Sequence, residues 1–118
     1  MIVFPNFKIN LGLNIVNKRD DGYHDLETIF FPIQINDILE ILPSTNADTT
    51  FTQSGLTVEG ALGNNISIKA YHLLRNNFPT LPSIQMHLHK IIPMGAGLGG
   101  GSADGTFTLQ TINEIFHL

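Results

Sequence analysis

The sequence has no cysteine, six lysine and arginine residues, and only 14% charged residues in all. Without cysteine there is no disulfide framework, no thiolate chemistry and no sulfur-ligated zinc. The six cations, Lys8, Lys18, Arg19, Lys69, Arg75 and Lys90, are scattered, and ten Asp and Glu bring the net charge to −4. Such a chain carries no electrostatic footprint for nucleic acid or for an anionic membrane surface. No apolar run approaches the ~18 residues of a membrane helix, and Met1 to Phe4 opens no secretory signal of basic residues ahead of a long apolar stretch. The expectation is a soluble, cytoplasmic protein that binds neither nucleic acid nor membrane.

What is present is globular. Apolar residues make up 42% of the chain, against the polar and highly charged usage of disordered segments. A chain of 118 residues suffices for one domain and buries roughly two-thirds of its unfolded surface.

From Phe7 to Ile15 apolar residues alternate as Phe7, Ile9, Leu11, Leu13 and Ile15, which predicts a strand with one buried face and with Lys8 and Asn10 side by side on the other. Charge gathers at 18–22 and ends in Asp21-Gly22, a turn that sends the chain back into an extended run over 26–35. A short strand is predicted over Ile38 to Leu42, closed by Pro43. Residues 44–63 read as a hairpin or loop with weak strands near 50–52 and 56–58. Asn64 or Asn65 caps a helix whose Ile66, Ala70, Leu73, Leu74 and Phe78 share a face until Pro79 ends it. A further strand covers 83–92, and from Ser102 onward a helix puts Leu109, Ile112 and Phe116 on one side. Gly105 weakens that helix, by about 1 kcal/mol relative to Ala. No stop signal follows it, so the chain reads as cut inside an element.

The segment with chemistry is Pro93-Met94-Gly95-Ala96-Gly97-Leu98-Gly99-Gly100-Gly101-Ser102, with five glycines among residues 95–101 between a predicted strand and a predicted helix. Glycines let backbone amides crowd around an anion, and the helix behind adds its unpaired N–H groups and positive dipole end, so phosphate is the natural ligand. The dipole is worth only about 0.3–1 kcal/mol at an exposed end, so several amides must converge. A dinucleotide fingerprint is not supported, because its acidic partner would fall about 20 residues on, beyond residue 118. The Walker pattern fails because position 101 is Gly where Lys is required. The loop therefore needs a cation from elsewhere, for which Lys8 is the candidate. Ser102 and Asp104 are candidates for phosphate or magnesium, with helix capping the alternative for Ser102. His87 and His89 share a strand face but have no third ligand of matching spacing, and read as surface residues.

Pro93 to Ala103 resembles the ATP-binding loop of the GHMP kinases, whose core reads roughly P-x-x-x-G-L-G-S-S-A. Phe7-Lys8-Ile9-Asn10-Leu11 and Asp21-Gly22-Tyr23-His24-Asp25-Leu26 narrow the resemblance to the branch that phosphorylates the 2-hydroxyl of a methylerythritol unit carried on cytidine diphosphate, in non-mevalonate isoprenoid synthesis. The resemblance implies an α+β fold of ribosomal protein S5 domain 2-like architecture, a mixed or antiparallel sheet with helices on one side. It implies ATP and Mg2+ as cofactors and a cytidine diphosphate sugar alcohol as the small-molecule substrate. Lys8 matches the catalytic lysine, Asn10 a substrate-binding asparagine, and Tyr23 and His24 the pair that holds the cytosine. Pro93, Gly95, Ala96, Gly97, Leu98, Gly99, Gly100, Gly101 and Ser102 match the loop around the ATP phosphates.

The family's catalytic aspartate lies in a G-A-D-V-P-like segment a few dozen residues past the loop, outside this sequence, and its second domain is also outside. Residues 1–118 are thus expected to be the amino-terminal, ATP-binding domain of such an enzyme, inactive alone. Another GHMP kinase acting on a different alcohol, or a nucleotide-binding module without chemistry, are the alternative readings.

Overall fold

The computed structural model describes residues Met1–Leu118 as six strands and two helices: β1 (Ile2–Val3), β2 (Asn6–Lys18), β3 (His24–Asn36), β4 (Ile38–Pro43), β5 (Thr50–Gly55), α1 (Ile66–Asn77), β6 (Ile84–Lys90) and α2 (Gly100–Phe116). β1, β4, β6 and β5 form one sheet in that order, antiparallel except for the parallel β5–β6 pair. The register sets Leu39 opposite Leu88 and Ile41 opposite Met86, so these residues and Ile84 present one apolar face. Ile68 and Tyr71 of α1 and Ile112 of α2 close over that face as the core. The opposite face is polar: His87 pairs with Glu40 across the strands, Thr52 and Ser54 bond the His87 ring, and Ser54 bonds His89. The sheet is mixed with both helices on one side, as the sequence suggested.

Apart from the start of α2, three local expectations are corrected. Residues 56–58 form no strand, and β5 is not part of a hairpin. It runs parallel to β6, which requires a long crossover that α1 supplies. Asn65 does cap α1, accepting from the Ser67 amide at 2.9 Å, but the buried stripe is Ser67, Ile68, Ala70 and Tyr71, while Ile66 and Leu73 are 40% and 58% exposed. The stripe is rotated because Tyr71 takes the core position. Its hydroxyl accepts from Thr49 Oγ1 and Arg75, each at 2.8 Å, and donates to the Pro82 carbonyl at 3.3 Å, so a fully buried phenol is satisfied. Helix α2 begins at Gly100, two residues before the predicted start.

The third correction concerns β2 and β3, which make a separate two-stranded ribbon with 13 residues in each strand. Their apolar residues do not form one buried face. Gly12, at φ +72°, is an extra residue between the Leu11–Ile29 and Leu13–Thr28 pairs, a bulge of the kind that glycine in the left-handed region permits. A one-residue slip moves every later side chain to the other side. Leu13 and Ile15 therefore share the side of Lys8, Asn10, Thr28 and Phe30, whereas Phe7, Ile9 and Leu11 share the side of Ile29 and Phe31. Leu11, Leu13, Ile15, Ile29, Phe30 and Phe31 are all exposed. The ribbon stretches the molecule to 49 × 32 × 27 Å, and its radius of gyration, 15.9 Å, exceeds the ~13.5 Å of a compact chain of this length.

Candidate functional site

The connection from β6 to α2 builds the site. Gly95, Gly97 and Gly99 all have φ near +70°, a backbone that L side chains avoid, and a Cβ at Gly95 or Gly97 would meet nothing within 4 Å. The loop is therefore open on its outer side. Gly100 and Gly101 are glycine for the opposite reason: a Cβ would lie 2.8 Å from Ile92 Cγ2 and from Met94 Cε respectively. Gly99 occupies the N-cap of α2 with no side-chain cap, so the first amides of the helix are left for a ligand or water. The capping role considered for Ser102 is thus corrected; this residue sits in the first turn with its side chain exposed. A hollow of about 280 Å3 lies over the loop, bounded by Pro93, the glycines of 95–101, Ser102 and Ile66, with Ala96 exposed at the crest.

The ribbon brings Lys8 to this loop. The Lys8 amide donates to the Leu98 carbonyl at 3.0 Å, and its ammonium donates to the Gly97 carbonyl at 2.9 Å and to Asn10 Oδ1 at 2.5 Å. The same ammonium lies 5.1 Å from the centre of the Phe30 ring. Asn10 in turn donates to Thr28 Oγ1 at 3.1 Å, and Thr28 donates to the Gly12 carbonyl at 2.5 Å. The bulge thus orients Asn10 through Thr28, a residue that sequence reading passed over because its partner is made only by the register shift.

Tyr23 and His24 are not at the loop. They sit at the far end of the ribbon, where His24 pairs with Lys18, about ten residues or on the order of 30 Å of strand from Lys8. Asp21 Oδ1 accepts the Tyr23 amide at 2.9 Å and Arg19 pairs with Asp25 at 2.6 Å, which shapes the turn and leaves the Tyr23 ring 73% exposed.

Asp104 is corrected as a ligand for phosphate or magnesium. It is 1% exposed and accepts from Lys90 Nζ at 2.7 Å, while Asp37 accepts from the same ammonium at 2.5 Å. Asp37 Oδ1 also takes the amides of Ile91 and Ile92 at 2.6 and 2.8 Å. Burial pushes Asp37 up, but Lys90 and the two amides outweigh it and hold the carboxyl below its ordinary value. For Asp104 burial dominates, with Asp37 as a neighbouring like charge, and Lys90 does not offset them: the carboxyl is pushed up to about 7. With Asp104 engaged, Ser102 is the exposed side-chain oxygen at the start of α2, and no group of three acidic, cysteine or histidine side chains positioned for a metal occurs.

Sequence reading also missed a cavity of about 150 Å3 beside the loop, lined by Val58, Glu59, Leu62, Asn65, Ile66 and Met94 among others. It is well below the roughly 300 Å3 of a site that encloses a drug-sized ligand. Its walls come from the 56–65 segment and the loop, two stretches brought together only by the fold.

Residues 65–118 match the GHMP kinases N terminal domain. Over its whole length the chain is 52% identical to 4-diphosphocytidyl-2-C-methyl-D-erythritol kinase of Cytophaga hutchinsonii and 53% identical to the protein of that name from Bacteroides fragilis, in each case covering 43% of the relative. A crystal structure of 4-(cytidine 5'-diphospho)-2C-methyl-D-erythritol kinase matches 98% of this chain with a TM-score of 0.79 at 30% identity, over 41% of that protein. The chain thus spans less than half the length of these relatives.

Proposed function

We propose that the chain is the nucleotide-binding amino-terminal domain of a GHMP kinase, and that the whole protein phosphorylates the 2-hydroxyl of 4-diphosphocytidyl-2-C-methyl-D-erythritol with ATP. The observation that carries this reading is the contact of Lys8 with the loop: its ammonium is bonded to the carbonyl of Gly97, a residue that lines the open hollow. Phosphoryl transfer needs positioning and neutralisation of spread negative charge more than covalent help. The amides of the loop and the start of α2 hold the polyphosphate, and Lys8 supplies the point charge. Asn10, fixed by Lys8 and Thr28, orients the accepting hydroxyl.

The two carboxylates beneath the loop, Asp37 and Asp104, are committed to Lys90 and do not accept the hydroxyl proton. We assign that role to a residue outside 1–118. Tyr23 and His24, at the turn of the same ribbon, are assigned to the cytosine, and Asn10 to the sugar alcohol. The apolar surface of the ribbon is then the wall against which the rest of the protein closes the cleft. The neutralisation assigned to residues 1–118 is that of Lys8 and the loop amides.

The test is Lys8→Ala in the full-length protein, following ATP consumption with the cytidine diphosphate substrate. A loss of at least a hundredfold is expected, and undiminished turnover removes Lys8 from the mechanism. The engagement of both buried carboxylates favours one other reading, a nucleotide-binding module without chemistry. Nucleotide binding by the full-length protein with no turnover of any alcohol would select it.

A further inference from the structure

Three titratable side chains lie directly under the glycine-rich loop, each at most 1% exposed: Lys90, Asp37 and Asp104. Two carboxylates around one ammonium, withdrawn from water, are not what a core selects for stability alone, since apolar residues of similar volume commonly do as well. The three come from separate segments. Asp37 joins β3 to β4, Lys90 is the last residue of β6, and Asp104 lies in the second turn of α2. Asp37 Oδ1 pins the Ile91 and Ile92 amides, which fixes the first residues of the loop. At the other end, a Cβ on Gly100 would lie 3.3 Å from Lys90 Nζ, so the ammonium sits against the first residue of α2. Residues 91–99 are therefore strung between two ends that share one ammonium, while Lys8 holds the crest from the opposite side.

We propose that Lys90 is the positioning residue of the phosphate loop: held by Asp37 and Asp104 together, it locks the end of β6 to the first turns of α2 and so presets the loop amides before an anion arrives. The purpose assigned to this lock rests on the nucleotide-binding reading above; the lock itself rests on the geometry. Donors already in place do not have to be ordered by the ligand, which is how preorganisation raises affinity. Asp104 is the separable half of the device. It meets Lys90 through Oδ2, and its Oδ1 has no partner, so its removal detaches α2 and leaves the Asp37 bonds to Lys90, Ile91 and Ile92 intact.

The experiment compares Asp104→Ala, which cuts the tie and leaves a one-to-one Lys90–Asp37 pair, with Asp104→Asn, which keeps an acceptor in place. Amide hydrogen exchange is read without nucleotide at residues 91–92 and 103–106, the bonded amides at the two ends of the loop. Asp104→Ala is expected to speed exchange there at least tenfold while β4 and α1 keep parental protection, and Asp104→Asn to stay within twofold of the parent. In the full-length enzyme the same Ala variant is expected to raise the KM for ATP about tenfold with kcat within twofold. Lys90→Met should behave like Asp104→Ala; if it fails to fold, the Asp104 pair decides. Unchanged exchange in Asp104→Ala, equal loosening in both Asp104 variants, or loosening spread evenly over β4 and α1 overturns the proposal. If the parent protein shows no protection of residues 95–101 by ATP, the nucleotide reading fails instead, and the exchange comparison still judges the lock.

Discussion

The backbone amide of Lys8 donates to the carbonyl of Leu98, so β2 is stitched to the phosphate loop by main chain, independently of the lysine side chain. Removing the ammonium therefore takes away charge without detaching the strand. Lys8→Ala should lower turnover at least a hundredfold while shifting the melting temperature by no more than about 3 °C, the change that less than ~1 kcal/mol produces at this size. Calorimetry on the variant used for kinetics checks both halves, and a collapse in stability would make the kinetic loss uninformative about charge.

Tyr23 and His24 lie at the exposed turn of the ribbon, so their truncation should leave the fold alone. The double change to Ala is expected to raise the KM for the cytidine diphosphate substrate about tenfold or more, with the KM for ATP within twofold. An unchanged value for the cytidine substrate would favour a GHMP kinase acting on another alcohol.

Asp104 imposes a pH dependence on stability. Its carboxyl rises from 3.8 to about 7 on folding, chiefly through burial, so the stability linked to it is whole below about pH 4 and is lost as pH climbs through 7. Asn has no charge to acquire. Asp104→Asn should therefore be more stable than the parent at pH 8, by a few kcal/mol at the order of 1.4 kcal/mol per unit of pKa, and the gap should narrow steadily toward pH 5. Asp37 runs the other way: lowered on folding, it contributes stability that disappears only as pH falls below about 3.8. Denaturant melts at pH 5, 6, 7 and 8 test the sign, and a gap that widens on acidification would refute the assignment.

Two glycines of α2 should respond oppositely to alanine. At Gly105 a Cβ would come 3.1 Å from Ile66 Cγ1, an exposed side chain free to move aside, so the helix gain of up to about 1 kcal/mol should prevail. At Gly100 the same methyl would reach 2.8 Å from Ile92, which is buried, and would also press on Lys90. Gly105→Ala should stabilise by about 0.5–1 kcal/mol, and Gly100→Ala should destabilise by about 1–3 kcal/mol and weaken ATP binding. Paired unfolding curves with an ATP titration measure both.

Much of the sheet was legible because its code is local. β4 is a short apolar run closed by Pro43, β6 alternates with period two and ends near Pro93, and α1 has its asparagine cap and its proline stop. The place of the glycine-rich loop was legible for the same reason, between a strand and a helix. The two faces of the ribbon were not, because one bulged residue at Gly12 transfers Leu13 and Ile15 across the strand, and alternation in the sequence continues through it unmarked. The buried stripe of α1 was misread because apolar count favoured Ile66 and Leu73, whereas the core took Tyr71 once Thr49, Arg75 and Pro82 could satisfy its hydroxyl.

The sequence alone determined where most of the chain extends, turns and coils, and that a run of glycines stands between a strand and a helix, because these follow from neighbours along the chain. That Lys8 reaches this run, that Asp104 turns inward to Lys90 and Asp37 instead of outward to a ligand, and that a cavity opens beside Met94 was decided only by tertiary structure. Those outcomes depend on groups between 14 and 89 residues apart, whose approach is set by sheet register and by the need to satisfy charge once water is excluded.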